Sequence, residues 1–422
     1  MKQHAGKPLI TLLMIAGILI AYVHQMSPSP FLSILREHFQ ITGSEALLNL
    51  SVSIIYPFLI VASLIGSLIE QRTGTRRLFV LTLAFLATGI FANYTAVSYT
   101  IFLLGRVAFG IGFGLGIPFI GSAIMKLYHG KGREAMNTLN ALFPFLGTLI
   151  SFALLIPLYH AMGNSWKNAL GIWGVGILAI GFLWLLFARE WHFDGGCPEE
   201  TSTIAAEKHI YLNLWKRKEI RLLTIIFMCD YFCYSYIAVI LPTFLMEIGS
   251  MSEAAAGLWA ALTFPGVGIA GCLLGGMVSA RSGRRKPVLV AGVLLEVIGV
   301  LLSTLGAGIS LAFVIIGISL FALGNGLWLP VMYNIPMDLK GMNPVRVGAS
   351  FAFISSCGFA CGFLSPMVGG WLTNALMPLS PDPSAIASHA LGLQWSLFLF
   401  GFVNLAAFIC ALAIRETGQA AE

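Results

Sequence analysis

Charge is what this chain has little of. Only 10% of its 422 residues are Asp, Glu, Lys or Arg, where a soluble domain carries roughly 25%. Hydrophobic residues make up 58% and the mean hydropathy is +0.87, which excludes an ordinary soluble globular fold. Alternation of apolar and polar residues over about ten positions is also missing, which disfavours a membrane β-barrel. No Walker A sequence is present, so ATP is not the direct energy source. No Ser/His/Asp, His-Glu-x-x-His or paired-carboxylate arrangement lies in an apolar run, which argues against an enzyme. The tails are too short for a soluble signalling domain, which places a non-transporting receptor low. Seven cysteines are few, and Cys229, Cys233, Cys272, Cys357, Cys361 and Cys410 fall in apolar runs as small hydrophobes. Cys229/Cys233 and Cys357/Cys361 stand one helical turn apart but without a histidine, so neither metal nor other cofactor is expected.

What is present is a succession of apolar runs of about 20 residues, the length that crosses a bilayer core as a helix. Twelve spans are predicted, at 8–27, 47–69, 77–95, 99–125, 136–160 and 167–188, then 220–245, 254–279, 287–306, 310–334, 345–375 and 393–415. The fold class is therefore an all-α polytopic membrane protein. Leu9 to Tyr22 follows a basic start like a signal peptide, but no small-residue cleavage site closes it, so it is expected to remain as the first span. Residues 189–219 form the longest polar stretch, with Asp194, Glu199, Glu200, Glu207, Lys208 and the run Lys216, Arg217, Lys218. They are predicted to be a cytoplasmic linker between bundles 1–188 and 220–422. With cytoplasmic termini, 21 of the 24 Lys and Arg residues fall on the cytoplasmic side, leaving Arg36, Lys167 and Arg106. The net charge of +6 then reflects topology and attraction to lipid headgroups, not a nucleic-acid partner.

The sequence repeats weakly within itself. A shift of 209 places Arg72-Thr73-Gly74-Thr75-Arg76-Arg77 over Arg281-Ser282-Gly283-Arg284-Arg285-Lys286. A shift of 212 aligns Gly112 to Pro118 with Gly324 to Pro330, and a shift of 222 aligns Pro144 to Gly147 with Pro366 to Gly369. Three matches in one order argue for two homologous six-helix halves.

These residues carry a resemblance to the major facilitator superfamily that covers essentially the whole chain. The family's signature, Gly-x-Leu-x-Asp-Arg-x-Gly-Arg-Arg, lies after the second span and is echoed after the eighth. The second copy keeps Gly276, Arg281, Gly283, Arg284 and Arg285 but has Ala280 at the aspartate position. The first keeps Arg72, Gly74 and Arg76, with Ser67 beside Gly66 at the opening glycine and Gln71 beside Glu70 at the aspartate. The resemblance implies a gating loop that latches the halves in one conformation and releases them in another. It also implies a glycine ladder after Arg106, in which Gly110, Gly112, Gly114 and Gly116 let helices approach closely. Pro144 with Gly147, and Pro366 with Gly369, match the fifth-span pattern of proton antiporters only in part and do not establish export.

An ionisable group inside a span costs at least about 2.5 kcal/mol on insertion scales, so each needs a reason. His24 either meets a solute or proton, or is a helix-end histidine at the outer interface. Arg106 either attracts an anionic substrate or carboxylate, or makes a structural pair. Asp230, amid Tyr231, Tyr234 and Tyr236, is the leading candidate for reversible protonation, against a helix-pairing role. Glu296 ranks lower, because the resemblance puts the ninth span at the periphery. The seventh and tenth spans face the cavity in the family, which makes Tyr234, Asn325 and Trp328 candidates for hydrogen bonding and stacking, although packing is the commoner use of such residues.

The resulting expectation is a secondary transporter working by alternating access, with proton symport favoured over antiport. The resemblance sets nitrate and organophosphate carriers aside, since the arginines they place in the second and eighth, or first and seventh, spans are absent here. A small organic anion or zwitterion is the expected solute, and export of hydrophobic or cationic compounds is the alternative. A monomer in a bacterial cytoplasmic membrane is the expected setting.

Overall fold

The computed structural model describes residues 7–42, 44–128, 131–189, 210–342, 344–380 and 384–417. Among them all regular structure is helical, and twelve helical stretches are long and apolar enough to cross a membrane. Most of the expected linker, including Asp194, Glu199, Glu200, Glu207 and Lys208, lies outside the described residues. The chain divides into two compact units, residues 1–42 with 47–197 and residues 43–46 with 198–422.

Unit 1 contains α1 (Lys7–Met26), α2 (Leu32–His38), most of α3 (Glu45–Ser53), α4 (Ile55–Thr73), α5 (Thr75–Tyr94), α6 (Tyr99–Leu127), α7 (Lys131–Ala161) and α8 (Trp166–Phe187). The first span runs on to His38, past its expected end at 27. Pro28 and Pro30 bend the chain through a 3-10 turn, Ser29–Phe31, that keeps the helical direction without full α hydrogen bonding. The second span is interrupted at Ile54, three residues before Pro57, whose missing N–H leaves Ser53 without its helical donor. α6 is the spine of the unit and packs against α4 and α5. A Cβ on Gly110 would come 2.7 Å from Ile55 O, and one on Gly112 2.6 Å from Leu86 N, so backbone meets backbone at these positions.

Unit 2 contains α9 (Ile210–Lys216), α10 (Lys218–Gly249), α11 (Glu253–Ala261), α12 (Val267–Ser282), α13 (Lys286–Leu305), α14 (Leu311–Asp338), α15 (Pro344–Leu376) and α16 (Ala385–Ala413). α11 and α12 form one span through a wide π turn, Leu262–Gly266, which absorbs the hydrogen bond that Pro265 cannot donate. The last span begins eight residues before its expected start, because the Ser384 hydroxyl accepts the Ala387 N–H and caps α16 there. α14 packs against α12 and α13 as α6 packs against α4 and α5. Within each unit the equivalent helices also start alike: Ser98 caps α6 and Ser310, 212 positions on, caps α14. The repeat read from three short motifs thus extends to caps and helix seams.

Candidate functional site

Four of the polar residues singled out from the sequence meet in unit 2. Asn325 Nδ2 donates to Asp230 Oδ1 at 2.8 Å, and Trp328 Nε1 donates to Glu296 Oε1 at 2.6 Å. The Asp230 and Glu296 carboxyl groups lie within hydrogen-bonding reach of one another. Exposure of Asp230, Glu296, Asn325 and Trp328 is 1%, 0%, 4% and 0%. At 1.5 Å per residue, Asp230 stands about 18 Å along α10 from Lys218 and Glu296 about 15 Å along α13 from Lys286, both far from their helix ends.

The seam between α13 and α14 makes this meeting possible. A Cβ on Gly292 would be 2.7 Å from Gly324 O and 3.0 Å from Trp328 Cβ, and one on Gly324 would be 2.9 Å from Glu296 N. Glycine at both positions brings the two backbones together one turn from the side chains that bond. Leu223, Ile226, Phe227, Val293, Val331 and Ala407 pack an apolar shell around Trp328. Tyr234 stacks on Tyr231 at 5.7 Å and lies beside Phe264 at 5.0 Å.

Unit 1 treats its ionisable groups differently. Arg106 is fully buried, and its three donor nitrogens go to backbone: Nε to Ser51 O at 2.9 Å, Nη1 to His24 O at 2.7 Å and Nη2 to Gln25 O at 2.6 Å. These carbonyls lie in the last turns of α1 and α3, next to the breaks, and His24 O also accepts from Ser27 Oγ at 2.8 Å. The guanidinium therefore does the work of a cap on two helices at once. His24 is also fully buried, against the Phe109 ring at 4.8 Å, with Nδ1 3.5 Å from Ser27 Oγ and Nε2 3.5 Å from Asn93 Nδ2. It is enclosed in unit 1, in the last turn of α1.

The two signature loops share their turn. Gly74 has φ +84° and Gly283 φ +63°, a backbone region that favours glycine. In the first loop, Thr75 Oγ1 donates to Glu70 Oε1 at 2.6 Å, so Glu70 supplies a carboxylate one residue before the expected place. The Ser67 and Gln71 side chains lie outside the described residues. Arg76 Nη2 donates to Leu185 O at 3.1 Å, while Arg72 is exposed.

The second loop recruits acids that sequence reasoning missed. Arg285 Nε donates to Asp338 Oδ2 at 2.9 Å, and its Nη1 to Ser279 Oγ at 2.7 Å. Glu416 Oε1 accepts the Arg285 backbone N–H at 2.7 Å and Oε2 accepts that of Lys286 at 3.2 Å, an acidic cap on the N-terminus of α13. Arg281 and Arg284 point to the surface. The signal for these partners was present only as acids closing α14 and following α16, with nothing local to tie them to residue 285. Glu416→Ala is expected to lower stability by about 0.5–2 kcal/mol, as loss of a helix cap does, read as a lower thermal midpoint of the purified protein.

A further buried ionic cluster was not anticipated. His389 Nδ1 lies 2.7 Å from Glu247 Oε2 and Nε2 3.3 Å from Glu45 Oε2, Glu45 being among the four residues 43–46 that group with unit 2. Of the packing residues expected from the family pattern, Gly114 and Gly147 stand where a Cβ would strike Leu59 O and Tyr22, a Cβ on Gly116 would come 3.1 Å from Ile18 Cδ1, and one on Gly369 would strike the Tyr236 ring. Pro144 and Pro366 lie inside α7 and α15.

The sequence model of the Major Facilitator Superfamily matches residues 13–220 and 223–421. Plastidic glucose transporter 4 of Arabidopsis thaliana is 26% identical over 217 residues, 51% of this chain and 38% of that protein. Solute carrier family 2, facilitated glucose transporter member 12 of Mus musculus is 27% identical over 158 residues, 37% of this chain and 25% of that protein. The chain thus spans less than half the length of either relative. Among solved structures, a bacterial homologue of the human lysosomal transporter Spinster, inward-facing and unoccupied, superposes with a TM-score of 0.80 at 14% identity, covering 97% of this chain and 98% of that one. A D-xylose-proton symporter gives 0.72 at 17% identity, again covering 97% and 98%. These two likenesses show the fold, and the match along both halves shows the family: this integral membrane protein belongs to the Major Facilitator Superfamily of transporters.

Proposed function

We propose that the protein is a proton-coupled symporter of a small polar organic solute, working by alternating access, with Asp230 as the residue that takes up and releases the coupled proton. The observation that carries this reading is a carboxyl group enclosed deep in α10, bonded to the Asn325 amide and facing a second carboxyl group. Holding a lone carboxylate in the bilayer is costly, so a carboxyl group there that alternates between charged and neutral forms can link proton binding to a conformational step. The anionic or zwitterionic solute expected from Arg106 loses its main support, because that guanidinium is engaged by three carbonyls. An uncharged, hydroxyl-bearing solute needs no buried cation, and the glucose transporters named above support that class. The arrangement of Lys and Arg along the chain supports cytoplasmic termini, the compact loops support a bacterial cytoplasmic membrane, and one chain is taken as the working unit.

The test is reconstitution in proteoliposomes that enclose a pH-sensitive dye. Monosaccharides, carboxylates, amino acids and cationic drugs are presented in turn to wild type and Asp230→Asn. A sugar-class solute is expected to acidify the lumen with wild type and to give no proton signal with the variant. Solute uptake without any proton signal in wild type, or an unchanged signal in Asp230→Asn, overturns the coupling assignment. Proton release driven only by cationic drugs replaces symport with export.

A further inference from the structure

Resting on that reading of Asp230, the hydrogen-bond pattern around it assigns a distinct task to its neighbour. We propose that Glu296 is the positioning residue of the proton site, a carboxylic acid that keeps its own proton and donates it as a hydrogen bond to the Asp230 carboxylate. Two carboxyl groups in contact cannot both stay charged without a cation between them. Among the described residues, no Lys, Arg or His forms an ion pair with either group, and the donors bonded to them are the neutral Asn325 amide and Trp328 indole.

The second oxygen of Glu296 supplies the other half of the argument. Glu296 Oε2 is fully buried and meets no hydrogen-bond donor among the described residues. As a bare carboxylate oxygen it would be an orphan in an apolar surrounding, a costly state. As an O–H directed at Asp230 it becomes the donor of the pair. Glu296 Oε1 is then the carbonyl oxygen that accepts the Trp328 N–H, Asp230 Oδ1 accepts from Asn325, and each of these groups is satisfied.

The pair accordingly alternates between two states. With one proton, on Glu296, it carries a single negative charge on Asp230. Addition of one proton from water to Asp230 makes it neutral, and release of that proton to water restores the first state. One proton moves per cycle and Glu296 returns unchanged.

Glu296→Gln tests this, since the glutamine N–H can donate to Asp230 while its carbonyl accepts from Trp328. Proton-coupled transport in Glu296→Gln is expected to stay within about twofold of wild type, whereas Glu296→Leu, lacking the donor, loses about tenfold or more, the worth of a hydrogen bond to a charged group. Trp328→Phe separates the two bonds of Glu296, and coupling is expected to survive it. Infrared spectroscopy at neutral pH gives a readout independent of transport. A protonated-carboxyl C=O band is expected in wild type and Asp230→Asn, and is expected to vanish in Glu296→Gln. Persistence of the band in Glu296→Gln, or loss of the proton signal in that variant, overturns the inference. An Asp230→Asn protein that still moves protons with its solute sinks the coupling reading instead, and the infrared comparison still decides the state of Glu296.

Discussion

Arg106→Met is expected to prevent unit 1 from reaching a stable fold. The methionine fills much of the space but offers no donor to His24 O, Gln25 O and Ser51 O, all paired in the native protein with one buried guanidinium. His24 O keeps the Ser27 hydroxyl at 2.8 Å, but Gln25 O and Ser51 O each lose a buried bond at a cost of about 1–3 kcal/mol, on the order of 2–6 kcal/mol together. That rivals the roughly 5–15 kcal/mol by which whole domains are stable. Fluorescence-detected size exclusion and the thermal midpoint in detergent read the outcome. Arg106→Lys is expected to fall between, because one ammonium cannot reproduce a planar fork directed at three acceptors on two helices. A monodisperse Arg106→Met protein with the wild-type midpoint would refute the capping role. A stable Arg106→Lys protein with a much raised KM for an anionic solute would return this arginine to the substrate.

The second large effect separates two adjacent glycines of one signature. At Gly275 an added Cβ would fall on Leu327 O and stand 2.7 Å from Leu327 Cα, whereas at Gly276 it meets nothing within 4 Å. Gly275→Ala is therefore expected to push α12 from α14 and cost about 1–3 kcal/mol, as overpacking does. Gly276→Ala should change stability by no more than about 0.5 kcal/mol. Thermal midpoints of the two variants, measured side by side, decide it, and equal losses would reject the packing account. The same contrast explains the first loop. Gly66, the counterpart of Gly275 at the shift of 209, would place a Cβ 2.8 Å from Pro118 Cγ, while the counterpart of Gly276 is Ser67. The glycine kept in both halves is the one at the seam, not the one that opens the family pattern.

The missing signature aspartate has a physical resolution of the same kind. Ala280 cannot bond Arg285, and Asp338 at the end of α14 does so, with Glu416 holding the backbone beside it. Glu70 stands one residue away from its expected place and reaches Thr75 across the turn at Gly74. Acids brought from other helices are invisible to a motif read along ten consecutive residues.

Much was already determined by the sequence alone: a chain of twelve spans, two related six-helix halves, and four ionisable residues inside apolar runs. Those features depend on the transfer cost of each residue and on local turn chemistry, which add up along the chain without reference to partners. Tertiary structure decided which of the four meet. Asp230 and Glu296 come together while Arg106 turns to the ends of α1 and α3, because pairing depends on how each helix is rotated and how closely its neighbour approaches. Gly292 and Gly324, where the backbones of α13 and α14 touch, bring Glu296 to Trp328, and Asn325 on the same α14 bonds Asp230 of α10.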